Sequence, residues 1–120
     1  MPLTKRFPHQ RLHAFHLALN ARRETWDLLR DVPAPYGDDR KQLRRSSQAV
    51  PKLIAEGADR RSVGVKRQRF DEALGEIGET AAGLEDLVSL GVLNQVDAER
   101  VHALWGRTRG AVLGLTKNLR

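Results

Sequence analysis

The sequence contains no cysteine, which excludes disulfide frameworks, thiolate catalysis and cysteine-ligated zinc. Aromatic residues are scarce: two tryptophans, one tyrosine and three phenylalanines among 120 residues. Long apolar runs are missing as well. The longest charge-free stretches, 12–21 and 87–96, span ten residues each, too short against the ~20 that a membrane helix needs. No apolar h-region follows Met1-Pro2-Leu3-Thr4-Lys5-Arg6, so no secretory signal is expected. Alternating strand patterns are absent. A soluble, cytoplasmic chain with no membrane partner and no cofactor is the expectation.

What is present suffices for a core. Hydrophobic residues make up 40% of the chain, and the length fits one domain over residues 1–120. Basic residues number 21 against 15 acidic ones, a net charge of +6, with a pI near 10.5. The excess is segregated. Residues 1–39 carry six bases and five acids, a net of +1. Residues 40–69 carry ten bases against Glu56 and Asp59, a net of +8. Residues 70–99 carry eight acids and no base, a net of −8, and residues 100–120 carry five bases and no acid. Such blocks either build a positive field that attracts polyanions, or neutralise each other inside the fold or between subunits. Both readings stay open.

The apolar periodicity is helical throughout. Four helices are predicted over about 10–31, 38–57, 64–90 and 95–118. Leu12, Phe15, Leu19, Trp26 and Leu29 mark the first seam, which should stop before Pro33 and Pro35. Asp38 is a suitable N-cap for the second helix, whose seam is Leu43, Ser47, Val50, Ile54 and Gly57. A linker is predicted over Asp59 to Val65, with Ser62 as a possible cap. The third seam, Phe70, Leu74, Ile77, Ala81, Leu84 and Val88, repeats like a heptad. It ends at Leu90-Gly91, where glycine accepts a left-handed C-terminal cap. Asn94 caps the fourth helix, whose seam runs through Val101, Leu104, Thr108, Ala111, Leu115 and Leu119. Helices of this length joined by short turns predict an all-α antiparallel up-down four-helix bundle.

Two features break local rules. Pro51 falls inside the second helix at a cost of ~3 kcal/mol; because Val50 is a poor N-cap, a continuous kinked helix is expected rather than a restart. Glycines at 75 and 78, then at 106, 110 and 114, sit in helix interiors, each costing ~1 kcal/mol relative to alanine. The last three form a smooth stripe suited to close backbone approach, either within the bundle or between subunits.

Residues 43–57, Leu-Arg-Arg-Ser-Ser-Gln-Ala-Val-Pro-Lys-Leu-Ile-Ala-Glu-Gly, carry a resemblance. They are similar to the signature of small bacterial four-helix-bundle proteins encoded in intervening sequences of large-subunit ribosomal RNA genes. The matching positions are Leu43, Arg44, Arg45, Pro51, Ile54, Ala55, Glu56 and Gly57. Arg60 and Ser62 continue the match, followed by Ala73, Leu74, Gly75 and Glu79, then Leu90, Gly91 and Leu93. Leu53 stands where the family usually has asparagine, Ser46 and Ser47 replace alanines, and Thr80-Ala81 interrupts an acidic stretch. The resemblance implies a four-helix bundle that assembles as a ring-like pentamer. The basic charge resembles a related branch, the accessory variability determinant of diversity-generating retroelements, which binds a reverse transcriptase and nucleic acid.

Sites for catalysis are thinly represented. A di-iron centre in a four-helix bundle needs two Glu-x-x-His motifs, and only Glu99-Arg-Val-His102 is present. His9, His13 and His16 could share a helix face but lack a nearby carboxylate. Glu72, Glu76 and Glu79 read as a solvated or ion-paired face. Arg11 and His16 fit the loose pattern of helical ribonucleases of the HEPN type, although a helix turns by ~500° over five residues and splays the pair by ~140°. The expected function is therefore a non-enzymatic homo-oligomeric scaffold that binds nucleic acid without sequence preference. Arg40, Lys41, Arg44, Arg45, Arg60, Arg61, Lys66, Arg67 and Arg69 would contact phosphates. With Phe15, Trp26, Phe70 and Trp105 on or near core seams, no stacking platform for bases is expected. The alternatives are a scaffold that binds only protein, or a HEPN-type ribonuclease.

Overall fold

The computed structural model describes residues 3–119. Four helices dominate: α1 (His13–Leu29), α2 (Gly37–Asp59), α3 (Val63–Ser89) and α4 (Gln95–Lys117), with short 3-10 turns at Pro8–Arg11 and Ala34–Tyr36. Each helix packs on the next in the chain, and α4 closes the ring against α1. Leu43 of α2 covers Gly83 of α3, and Phe70 of α3 covers Gly57 of α2, so α3 runs back along α2. Arg22 reaches Gln48 and His9 reaches Asp59, so α2 runs back along α1.

Capping chemistry sets most boundaries. Pro33 and Pro35 end the first hairpin arm as expected. Ser62 Oγ accepts from the Val65 amide and Asn94 Oδ1 from the Asp97 amide, each satisfying an orphan donor of a first turn. Gly91 has φ +74°, and the Gly91 and Val92 amides donate to the Val88 and Leu87 carbonyls, closing α3 in a Schellman motif. Asp38 does not cap α2. Tyr36 takes that place without a side-chain hydrogen bond, and Asp38 and Asp39 lie in the first turn, where they favour the positive end of the dipole. The predicted 59–65 linker shrinks to residues 60–62, because Lys66 Nζ donates to the Gly57 and Ala58 carbonyls and so satisfies the end of α2.

The core differs from the predicted seams in phase. On α1 the buried residues are Ala14, Ala18, Ala21, Thr25 and Leu29, while Phe15 and Trp26 are only half-buried and Leu19 is exposed. On α3 they are Phe70, Ala73, Ile77, Thr80, Leu84 and Leu87, so Leu74, Ala81 and Val88 lie on the flank. On α4 they are Ala98, Val101, Trp105, Thr108 and Val112. The seam of α2 is as predicted, with Ser46 and Pro51 added.

One physical reason links these shifts. Small residues face inward where helices approach closely, and large ones fill from the opposite side. Trp105 reaches from α4 to α1, where its Nε1 donates to Thr25 Oγ1 at 2.8 Å, while Thr25 donates to the Ala21 carbonyl at 2.7 Å. Ser46 and Thr80 pair their hydroxyls at 2.8 Å between α2 and α3. A Cβ on Gly57 would lie 2.5 Å from Phe70 Cε1, and one on Gly83 would lie 2.6 Å from Leu43 Cδ2. Alanine at either position would force a rigid ring or a buried leucine to move.

α2 continues through Pro51, which is buried. Pro51→Ala restores an amide to bond the Ser47 carbonyl but removes ring carbons from a packed site. The two effects oppose each other, so the melting temperature should stay within about 5 °C of wild type, well short of a ~3 kcal/mol gain. Differential scanning calorimetry of the variant, beside its assembly state, checks this; a large rise with unchanged assembly would show a tolerated defect.

Candidate nucleic-acid interface

Five of the nine predicted phosphate-contacting residues are engaged within the fold. Arg40 Nη1 donates to the Val32 carbonyl at 2.9 Å, holding the α1–α2 connection. The Arg44 guanidinium lies over the Trp26 ring, 5.0 Å from its centroid. Arg45 bridges to Glu76 at 3.3 Å and Glu79 at 2.7 Å. Those neighbours hold its pKa above the usual arginine value, Glu76 through its charge and Glu79 through a hydrogen bond. Arg69 pairs with Glu56 at 3.3 Å and Glu72 at 3.0 Å, and Lys66 caps α2. Part of the basic block is thus neutralised by the acidic block across the α2–α3 seam. Exposed pairs of this kind are screened by solvent and add little to stability.

Lys41, Arg60, Arg61 and Arg67 are exposed and have no ion pair among the described residues. They do not form one patch. Lys41 stands in the second turn of α2, about 28 Å along the helix from Arg60 at 1.5 Å per residue. Arg60, Arg61 and Arg67 gather at the α2–α3 turn.

The fold adds three cations there from residues 1–39, a segment whose net charge is only +1. The N-terminal segment packs on the end of α2, with His9 Nδ1 3.3 Å from Asp59 Oδ2. Gln10 Oε1 accepts from the Arg6 and Phe7 amides at 2.7 and 2.9 Å, and Gln10 Nε2 donates to the Thr4 carbonyl. The Gln10 bonds hold the segment in its own turn and the His9–Asp59 contact ties it to α2, leaving Lys5, Arg6 and Arg11 exposed and without ion pairs among the described residues. Pro8 opening a turn with Gln at its third position was the available sequence signal.

Other candidate centres are dispersed. His9 faces Asp59, His16 Nε2 lies 2.7 Å from the Gln10 carbonyl, and His102 Nε2 lies 2.8 Å from Glu85 Oε2. Glu72, Glu76 and Glu79 are ion-paired. Among the described residues no three His, Asp or Glu side chains gather as metal ligands. Arg11 sits in the 3-10 turn and Leu12, in extended conformation, separates it from α1. Arg11 and His16 therefore do not share the helix that a HEPN-type pair presumes. No helix among the described residues is long and apolar enough to cross a membrane.

The glycine stripe faces outward. A Cβ on Gly75, Gly78, Gly106, Gly110 or Gly114 would meet nothing within 4 Å, so contact within the bundle does not explain these residues. No curated protein matches the chain closely enough to count as a relative. Pro51, buried within α2, and Gly57, packed under Phe70, are two of the residues that carry the family resemblance. The family of 23S rRNA-intervening sequence proteins matches residues 10–110, and the chain belongs to it.

Proposed function

We propose that this protein is a non-enzymatic, homo-oligomeric scaffold that binds the sugar–phosphate backbone of RNA or DNA. The observation that carries the reading is the cluster of Lys5, Arg6, Arg11, Arg60, Arg61 and Arg67 at one end of the bundle, without internal ion pairs among the described residues. Six cations with no internal partner concentrate a polyanion, and guanidinium groups bind phosphate through paired charge-assisted hydrogen bonds. The family's association with ribosomal RNA intervening sequences favours RNA as the first ligand to test. A reverse transcriptase is a second partner to test, on the resemblance of the basic charge to the retroelement branch.

Oligomerisation has its own support. Gly75 and Gly78 on α3, and Gly106 and Gly110 on α4, leave two smooth exposed helix faces. The α3 face also carries Asp71, Glu85 and Asp86, and the α4 face Arg107 and Arg109. Opposite charges on two different faces suit a head-to-tail contact that closes into a ring, with five subunits the expected number.

Gel-shift titration at two salt concentrations tests the first part. If all six cations contact phosphates, log affinity should fall against log salt with a slope of ~4–5. Absence of binding at low salt would overturn the reading in favour of a scaffold that binds only protein. Light scattering tests the second: a mass several times 13.5 kDa is expected, and a clean monomer would end it.

A further inference from the structure

A purely electrostatic patch cannot distinguish paired from unpaired bases, but the groove beside this one carries aromatic surface. Phe15 and Trp26, expected in the core, lie half-buried on the flank of α1 that faces α2. Phe7 is 56% exposed. Its ring stacks on His9 with centroids 5.8 Å apart and planes 14° from parallel, and His9 meets Phe15 edge-on at 4.7 Å. His9 and Phe15 then enter a cleft of about 470 Å³ between α1 and α2, which Leu19, Arg22, Gln48 and Lys52 also line. The cleft opens beside the basic end, because His9 is held by Asp59, the neighbour of Arg60.

Cations predominate on this face. Arg22 and Arg44 both lie over the Trp26 ring, 4.7 and 5.0 Å from its centroid, and Lys52 is exposed on the rim. None of the three has an ion pair among the described residues. Asp59 of α2 meets the cleft at His9, while Glu24 turns to Arg100 of α4 and Glu56 to Arg69 of α3. The cleft thus combines the Phe15 ring and Leu19 with a side-chain amide and a cationic rim.

We infer that the α1–α2 cleft takes the unpaired nucleotides of a single strand. Bases lie against Phe7, Phe15 and Leu19, and phosphates against Lys52 and Arg22. This inference rests on the nucleic-acid reading above and adds selectivity to it. Every base offers a flat face, so the contact is tolerant of sequence. A duplex buries those faces in its stack and can meet only the cations at the end of the bundle. The occupant is a nucleotide chain rather than an acidic protein segment, because the floor is aromatic and the rim cationic in the same short span.

Fluorescence anisotropy with a dye-labelled short RNA, presented as a single strand and as a blunt duplex, tests the inference on the full chain. The wild type should bind the single strand at least ~10-fold more tightly than the duplex, the value of one stacked base or more. Phe7→Ala with Lys52→Gln changes two exposed residues outside the core, so the fold should survive, as circular dichroism will show. This variant should lose most of that ~10-fold preference and keep its duplex affinity. Equal affinity of the wild type for the two forms would overturn the inference, as would an equal loss for both in the variant. Displacement of the single strand by polyglutamate as effectively as by unlabelled RNA would also overturn it, since charge alone would then suffice. These outcomes leave the electrostatic reading intact, whereas failure of both probes to bind at low salt would remove that reading as well.

Discussion

Trp105→Ala is expected to destabilise the bundle by ~3–5 kcal/mol, the usual cost of truncating a buried tryptophan. Trp105 is 1% exposed and is the largest of the fully buried side chains. It spans the α1–α4 seam, and close-packed surroundings relax only partly into the space a truncation leaves. Its Nε1 also donates to Thr25, but Thr25 keeps its own bond to the Ala21 carbonyl, so the hydroxyl is not orphaned. Cavity formation therefore dominates the loss. Domains of this size are stable by only ~5–15 kcal/mol, so the variant should unfold at much lower urea than the wild type. Trp105→Phe keeps most of the volume and should cost about half as much. Trp26 is the internal comparison, being half-buried beneath two arginines. Its truncation should cost less than that of Trp105 in the same urea titration. Equal losses at the two tryptophans would show that the α1–α4 seam is not the centre of the core.

The number of helices and several of their ends were legible in the residues because their signals are local, whereas the first helix, expected over 10–31, is shortened to His13–Leu29 by the 3-10 turn and the extended Leu12 before it. Pro33 and Pro35, Ser62, Gly91 and Asn94 act through their own backbone or hydroxyl and amide groups, whatever packs against them. Which face turns inward is a different kind of question. Periodicity fixes the spacing of an apolar stripe but not its phase, and here it points to Phe15 and Trp26 on α1, Leu74 on α3 and Leu104 on α4. The structure buries Ala14, Ala18 and Ala21, Ala73 and Thr80, and Trp105 instead. Interhelical distance decides between the two phases, and each helix sets that distance only jointly with its neighbour. Ser46 and Thr80 illustrate this: each alone is a weak core residue, and together they form a satisfied pair. Gly83 escaped notice for the same reason, since its purpose depends on Leu43, forty residues earlier.

For the interface, the sign of the charge was legible and its availability was not. Arg45 and Arg69 lie in the most basic stretch of the chain, yet each faces two glutamates. Only the pairing of α2 with α3 reveals that. The reverse error hid Lys5, Arg6 and Arg11. Averaging over residues 1–39 gave +1, because Asp38 and Asp39 were counted with them although they lie at the far end of α2. A window along the chain is a poor proxy for a surface when antiparallel helices return it to the same end.

Reversing Arg60, Arg61 and Arg67 together to glutamate should weaken RNA binding by ~10²-fold or more, at ~1 kcal/mol for each lost phosphate contact and further repulsion from each new carboxylate. Lys66 is excluded from the set because its ammonium holds the end of α2. The salt slope should fall by ~2–3, which is 0.7–0.9 for each of three contacts. Single strands and duplexes should lose affinity by similar factors, because in the proposed mode these residues would meet only the backbone. Stability should change by less than about 0.5 kcal/mol, since all three side chains are exposed and unpaired among the described residues. Arg45→Glu with Arg69→Glu is the matched control. It reverses two charges rather than three but breaks ion pairs on the α2–α3 seam, so it should lower the melting temperature more and the salt slope less. If the turn instead meets the acidic face of a neighbouring subunit, the triple variant should dissociate the oligomer. Light scattering beside the gel shift distinguishes these outcomes. Loss of assembly without wild-type binding to RNA would make the cluster an interface between subunits, whereas loss of binding with assembly intact would make it the phosphate-binding end of the bundle.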